Sequence, residues 1–103
     1  MQDMLKALAE PRRQEILKLI GDKEMASGEI AGHFNVSRPA ISQHLQVLKA
    51  AGLVNERQLG TRRLYQARPE GLAELRAFMD QFWTQSLSRL AEAAEAEERR
   101  SQS

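Results

Sequence analysis

Two short amphipathic helices separated by a tight turn constrain the fold of this chain most. We predict that the first of them begins at Ser27, whose hydroxyl can cap it, with Ile30 and Phe34 on its apolar face. Asn35 then interrupts the pattern, and asparagine tolerates the backbone conformations of tight turns. Ser37 caps the second helix. With a turn of about three residues between them, the two helices form a helix-turn-helix.

The second helix, which we place at residues 37–51, has two distinct faces. Ile41, Leu45 and Leu48 lie at positions i, i+4 and i+7, so they form an apolar stripe that faces the core. Gly52 follows the helix, where a glycine commonly ends one. This helix is therefore half core and half surface.

The surface face of helix 37–51 is polar and contains no acidic residue. Glutamine can bond to adenine and arginine to guanine, and alanine can contact a thymine methyl group. The free amides of a helix N-terminus can also receive a phosphate. We select the following residues of this helix for contact with the major groove of DNA: Ser37, Arg38, Pro39, Ala40, Ser42, Gln43, His44 and Gln46.

After Gly52 the pattern changes from a helical period to two extended runs. We predict a β-hairpin over residues 53–67, with Gly60 and Thr61 at its turn. A hairpin directly after a helix-turn-helix is a wing, which we place at residues 55–66. The wing residues predicted to contact the DNA backbone or the minor groove are Arg57, Thr61, Arg62 and Arg63. The fold class is mostly α with a small β-hairpin, a winged helix-turn-helix.

The net charge of the chain, +1, conceals a local concentration of positive charge. Residues 36–68 contain six Lys or Arg residues and one Glu, so their net charge is 6 − 1 = +5. This concentration is typical of a polyanion-binding surface. A solvated basic face would have the same charge, so the prediction of double-stranded DNA as partner rests on the turn, the wing and the polar helix face together.

Apolar stripes mark both ends of the chain. We predict a short first helix and, from Pro69, a last helix of about 30 residues whose stripe is wider than one domain requires. Such a helix usually packs on a second subunit. The predicted interface of a homodimer is Met4, Leu5, Leu8, Leu75, Phe78, Met79, Phe82, Trp83, Leu87 and Leu90. The predicted domain covers residues 1–91, and residues 92–103 form a charged tail that extends the helix and then frays.

Length and composition exclude several classes of protein. A chain of 103 residues is one domain, and with no cysteine it has no disulfide or thiolate metal site. No apolar run approaches the roughly 20 residues of a spanning helix, and no secretory signal is present, so we expect a cytoplasmic protein without a membrane partner. Its two histidines do not predict a metal site, and we find no catalytic motif. We therefore expect no metal, no other cofactor and no enzymatic activity.

Two segments resemble the ArsR-type winged-helix repressors. These are residues 8–17, which read LAEPRRQEIL, and residues 36–48, which read VSRPAISQHLQVL and are followed by AGLV. The resemblance implies a homodimer joined by its first and last helices. It implies two recognition helices about 34–36 Å apart in successive major grooves of an imperfect palindrome. It also implies repression of an operon that includes the regulator's own gene.

The chain differs from the metal-sensing members of that family. Residues 24–30 read EMASGEI, with no thiol, and the last helix has no histidine. Instead, Phe78, Phe82 and Trp83 resemble the aromatic pattern of a metal-independent branch.

Two alternatives stay open. One is a winged helix that binds another protein and not DNA, although such domains usually lose the basic wing. The other is an unknown small-molecule effector at the dimer interface, in a pocket lined by Phe82 and Trp83. Aromatic stripes at helical spacing are mostly packing residues, so we expect these two side chains to form the dimer core.

Overall fold

The computed structural model of this protein describes residues 1–102. Ser103, the last residue of the predicted tail, lies outside the described residues. The elements in chain order are α1 (Gln2–Leu8), α2 (Pro11–Leu19), β1 (Met25–Ala26), α3 (Ser27–Ala31), α4 (Arg38–Ala50), β2 (Val54–Leu59), β3 (Arg62–Ala67) and α5 (Pro69–Gln102). The predicted class, mostly α with a small β-hairpin in a winged helix-turn-helix, is confirmed.

The chain forms two compact units. The first is residues 1–73, which contain the helix-turn-helix and the sheet, and the second begins at Glu74 within α5. The predicted boundary between residues 91 and 92 coincides with no break in the backbone, because α5 is helical from Pro69 to Gln102.

The core of the first unit is aliphatic. Ile41, Leu45 and Leu48 of α4 each have 0% of their surface exposed, which confirms the predicted apolar face of this helix. They share the core with the fully buried side chains Ile16, Ile20, Ile30 and Leu53. Burial of these side chains, at roughly 1.5–3 kcal/mol each, fixes which face of α4 remains exposed.

The helix before the turn is shorter than the sequence predicted. Its N-cap is Ala26 and not Ser27, and the Glu29 carboxylate accepts a hydrogen bond from the Ala26 N–H at 3.3 Å. The helix ends at Ala31, so Phe34 lies in the connection, where the Arg12 guanidinium sits 5.0 Å from its ring centroid. Six residues, 32–37, therefore separate the two helices where about three were expected.

The sheet has three strands in the order β1-β3-β2, all antiparallel. The hairpin β2–β3 was predicted and β1 was not. In the hairpin Leu59 lies opposite Arg62, so Gly60 and Thr61 form a two-residue turn. Gly60 has a φ of 63°, whereas none of the non-glycine residues among positions 1–102 has a positive φ, which is the pattern of a type II′ turn.

The beginning of α5 is held against the α4–β2 turn. The Arg68 N–H donates to the Leu53 carbonyl at 2.8 Å, and its guanidinium donates to the Gly52 carbonyl at 3.3 Å. A Cβ atom added at Gly71 would lie 1.9 Å from that same carbonyl oxygen, so only glycine allows the approach.

Arg13 joins α1, α2 and α4. Its Nε donates to the Ala7 carbonyl at 2.5 Å, and its Nη2 reaches the Lys6 carbonyl at 3.4 Å. These carbonyls lie in the last turn of α1, where a cation is favoured by the helix dipole. Its Nη1 lies 3.4 Å from His44 Nδ1 on α4.

Candidate nucleic-acid interface

The candidate interface is centred on the exposed face of α4. Ser37 caps the helix as predicted, because its Oγ accepts a hydrogen bond from the Ala40 N–H at 3.3 Å. Pro39 occupies the first turn, where its missing N–H costs nothing. Since the apolar side of α4 is buried, Gln43 and Gln46 are left facing solvent. Both are free to reach base edges.

The predicted contact residues of α4 divide by exposure. Ser37, Arg38, Pro39, Gln43 and Gln46 are exposed, whereas Ala40, Ser42 and His44 are half-buried. His44 is placed on the flank of the helix, since its ring nitrogen lies beside Arg13 of α2. The exposed polar residues therefore form the centre of the candidate interface.

Val47 of α4 is an exposed residue that was not predicted for the interface, and it also lines a cleft with Asp3, Lys6 and Arg13. It is 41% exposed, and it follows Gln43 by four residues, one helical turn. The four-residue spacing from Gln43 already indicates in the sequence that Val47 lies on the same side of the helix. An exposed valine there offers apolar contact to a thymine methyl group.

Arg38 of α4 lies against α3 and faces a cleft that it shares with the wing. Its guanidinium lies over Gly28, where an added Cβ would be 3.2 Å from Arg38 Nη2. It lines a cleft of about 430 Å³ together with Ala26, Ser27, Gly28, Glu29, Thr61, Arg62 and Arg63. The structure thus brings one arginine of α4 and three predicted wing residues to a single cleft.

Two wing arginines form one-to-one pairs with carboxylates that precede α4 in sequence. Arg57 donates to Glu24 through Nε at 2.6 Å and Nη2 at 2.9 Å, and Arg62 donates to Glu29. The hydrogen bond from Arg57 holds the pKa of Glu24 below its ordinary value, and the same bond raises the pKa of Arg57. Sequence reasoning identified both arginines and neither partner.

The third wing arginine belongs to a cluster with surplus positive charge. Glu56 accepts from Lys49 at 2.8 Å and from Arg63 at 3.1 Å, and only 10% of its side chain is exposed. The hydrogen bond from Lys49, with further help from the charges of Lys49 and Arg63, lowers the pKa of Glu56. One carboxylate faces two cations, so the cluster keeps a net charge of about +1.

The predicted dimer residues differ in how far their own chain buries them. Met4 is only 6% exposed and belongs to the core of its own chain. Leu8, Leu75, Phe78 and Met79 are half-buried. The remainder are exposed by 38% to 65%: Leu5, Phe82, Trp83, Leu87 and Leu90.

The exposed apolar residues of α5 include a short aromatic run. The rings of Phe78 and Phe82 stack at 6.3 Å, and Trp83 meets Phe82 edge to face at 5.7 Å. Gly71 is the one fully buried residue in the described part of α5. From Phe82 onward the apolar stripe is exposed, since Phe82, Trp83, Leu87 and Leu90 are each 49% to 65% exposed in the single chain.

Among residues 1–102, no group of three or more His, Asp or Glu side chains is arranged to hold a metal ion. None of the helices within this range is both long and apolar enough to cross a membrane.

Known proteins share this arrangement. The sequence profile described as bacterial regulatory protein, arsR family, matches residues 4–56. The chain is 48% identical over 91 residues to the HTH-type transcriptional regulator Rv2034 of Mycobacterium tuberculosis, covering 88% of this chain and 85% of that protein. It is 42% identical over 60 residues to the transcriptional repressor SdpR of Bacillus subtilis, covering 58% of this chain and 67% of the relative.

A solved structure is similar over most of the chain. It is the solution structure of a homodimeric winged helix-turn-helix DNA-binding domain from Mycobacterium bovis, with a TM-score of 0.67 and 36% identity. The match covers 81% of this chain and 77% of that one.

Proposed function

This chain belongs to the ArsR family of bacterial regulatory proteins and is a DNA-binding transcriptional regulator, and we propose that it acts as a dimeric repressor of an operon that includes its own gene. Repression is supported by the relative SdpR, which is named a transcriptional repressor. The fold supplies a helix for the major groove and a wing for the flanking backbone.

The observation that carries the proposal is the division of α4 into a fully buried apolar face and an exposed face without acids. Ile41, Leu45 and Leu48 hold the helix rigidly, since none of them is exposed. Gln43 and Gln46 then project from a helix that cannot rotate without exposing its core. A rigid polar face of this kind is what direct readout of base edges requires.

We assign base readout to the centre of α4, and backbone contact to Arg38 at its N-terminal end and to the wing. Gln43 and Gln46 bond to base edges, and Val47 contacts a thymine methyl group. Arg38 faces the cleft beside the wing, so we assign it to phosphate together with Arg62 and Arg63. Phosphate contacts supply affinity that depends on salt, and base contacts supply selectivity.

Dimerisation would cover the apolar stripe of α5. The homodimeric relative from Mycobacterium bovis supports a second copy of this chain as the partner. A dimer presents two copies of α4, and helices of this kind enter successive major grooves about 34–36 Å apart. We therefore propose an operator that is an imperfect palindrome.

Fluorescence anisotropy tests the proposal. The purified protein is titrated onto a labelled duplex of the DNA upstream of its own gene, against unlabelled scrambled competitor, at several salt concentrations. We expect tight binding that resists the competitor and weakens steeply with salt. No binding to any duplex at low salt would instead favour a winged helix that binds another protein.

A further inference from the structure

We propose that Glu24 and Glu29 compete with the DNA backbone for two arginines of the wing, and so limit the affinity of this protein for every duplex. The inference rests on the proposed function, which assigns Arg62 to phosphate, and it extends that contact to Arg57, the other predicted wing residue with a single carboxylate partner. It concerns residues outside the helix and the hairpin that carry the DNA contacts.

The geometry separates these two carboxylates from Glu56. Each of them faces one arginine, so the pairs Arg57–Glu24 and Arg62–Glu29 are electrically neutral. Glu56 is shared by Lys49 and Arg63, and its cluster keeps a positive charge. In the free protein the wing therefore shows much less positive charge than its sequence indicates.

A backbone phosphate can replace either carboxylate. The Arg57–Glu24 pair is bidentate, with two parallel hydrogen bonds, and a phosphate offers the same pair of acceptor oxygens. Both arginine side chains are more than half exposed, at 56% and 57%. Exposed pairs of this kind are weak, so phosphate can displace the carboxylate.

The position of the carboxylates makes the competition unavoidable. Glu24 directly precedes β1 and Glu29 lies in the first turn of α3. Because β1 pairs with β3, this segment is fixed beside the wing and cannot move away without breaking the sheet. When DNA binds, each arginine must give up its hydrogen bonds to that carboxylate, and this loss weakens binding to any sequence.

The test measures the affinity of charge-neutral variants for DNA. Glu24→Gln and Glu29→Gln are titrated by anisotropy onto the duplex from upstream of the gene and onto a scrambled duplex at low salt. Each variant should bind both duplexes about two- to five-fold more tightly than the wild type. Glutamine at position 29 can still accept the Ala26 N–H, so the start of α3 is preserved.

Glu92→Gln is the matched control. It removes the same charge from an exposed residue of α5 that takes no part in the wing ion pairs, and its affinity should equal that of the wild type. Glu24→Gln is independent of helix capping, so it keeps the test valid even if Glu29→Gln alters α3. In an Arg62→Ala background, Glu29→Gln should give no gain beyond that of the control.

The outcomes separate the inference from the proposed function. If the wild type binds its duplex and both variants match Glu92→Gln, the inference is wrong and the function stands. A gain from Glu29→Gln that persists without Arg62 would also overturn it, because the carboxylate would then act without that arginine. If the wild type binds no duplex even at low salt, both fail together.

Discussion

At the scale of single residues, Glu56 gives the most direct link between charge and stability. Its pKa lies below the ordinary value of 4.5 because Lys49 and Arg63 favour the ionised form. The ionised carboxylate therefore stabilises the fold above pH 4.5, and this contribution is lost as the pH falls through the lowered pKa.

We expect Glu56→Gln to lower the free energy of unfolding at pH 7 by about 1 kcal/mol. The difference from the wild type should shrink as the pH falls through the lowered pKa of Glu56, because the wild-type carboxyl then becomes neutral as well. Urea unfolding at pH 7 and at pH 3 measures both values, with Glu92→Gln as control. An equal loss at the two pH values would show that the ion pairs with Glu56 contribute nothing.

Single residues also show how far the sequence alone reaches. The Ser37 cap and the Gly60 turn were predicted, because each depends on neighbours within three residues. The partners of the wing arginines were not, because Glu24 and Glu29 each lie 33 residues from their arginine. Counting charge over residues 36–68 found the arginines and left out both carboxylates that neutralise them.

At the scale of elements, the contact between α5 and the α4–β2 turn depends on one glycine. A Cβ at Gly71 would lie 1.9 Å from the Gly52 carbonyl oxygen, which belongs to the backbone and cannot rotate away. We expect Gly71→Ala to lower the free energy of unfolding by about 1–3 kcal/mol or more, although alanine otherwise favours helix. Thermal unfolding followed by circular dichroism measures the loss.

Gly21→Ala is the control for that substitution. A Cβ at Gly21 would meet its nearest atom, the Leu17 carbonyl oxygen, at 3.4 Å, an ordinary contact. Its effect should stay within about 0.5 kcal/mol. If Gly71→Ala were as stable as this control, α5 would not be packed as closely on the turn as the structure shows.

The elements that were predicted well have residues at both ends that favour the start or the end of a helix or strand. Helix α4 runs from Arg38 to Ala50, with its serine cap before it and Gly52, at a φ of 80°, after it. Strand β1 has two residues and no alternating pattern, so only its pairing with β3 defines it. Likewise Phe34 lies beyond the end of α3, and its ring packs with Arg12 of another helix. Tertiary contacts of this kind leave no trace in a local pattern.

At the scale of the whole molecule, the uncovered stripe of α5 predicts the oligomeric state. Trp83 is 55% exposed and Leu87 is 59% exposed, and burying such side chains is the main driving force of association. We expect Trp83→Glu to convert the dimer into a monomer in analytical ultracentrifugation. Operator affinity should fall at least about tenfold, because a monomer contacts only one half-site of the operator whereas a dimer contacts both.

Ser88→Glu is the matched control. Ser88 is exposed and, by helical spacing, lies on the side of α5 opposite the apolar stripe. This variant carries the same new charge and should remain a dimer. A Trp83→Glu protein that still sediments as a dimer would place the subunit interface elsewhere.

If α4 reads base edges while the wing contacts the backbone, substitutions in the two elements must change DNA affinity in different ways. The most direct measurement is the affinity of the wild type, Gln43→Ala and Arg62→Ala for the operator and for each of its single-base-pair substitutions, at several salt concentrations. Gln43→Ala should cost about 1–3 kcal/mol and relax the preference at one position of each half-site. Arg62→Ala should weaken all sequences alike and reduce the salt slope by about one. A uniform loss from Gln43→Ala, or an altered base preference from Arg62→Ala, would contradict the assignment of readout to the helix and of backbone contact to the wing.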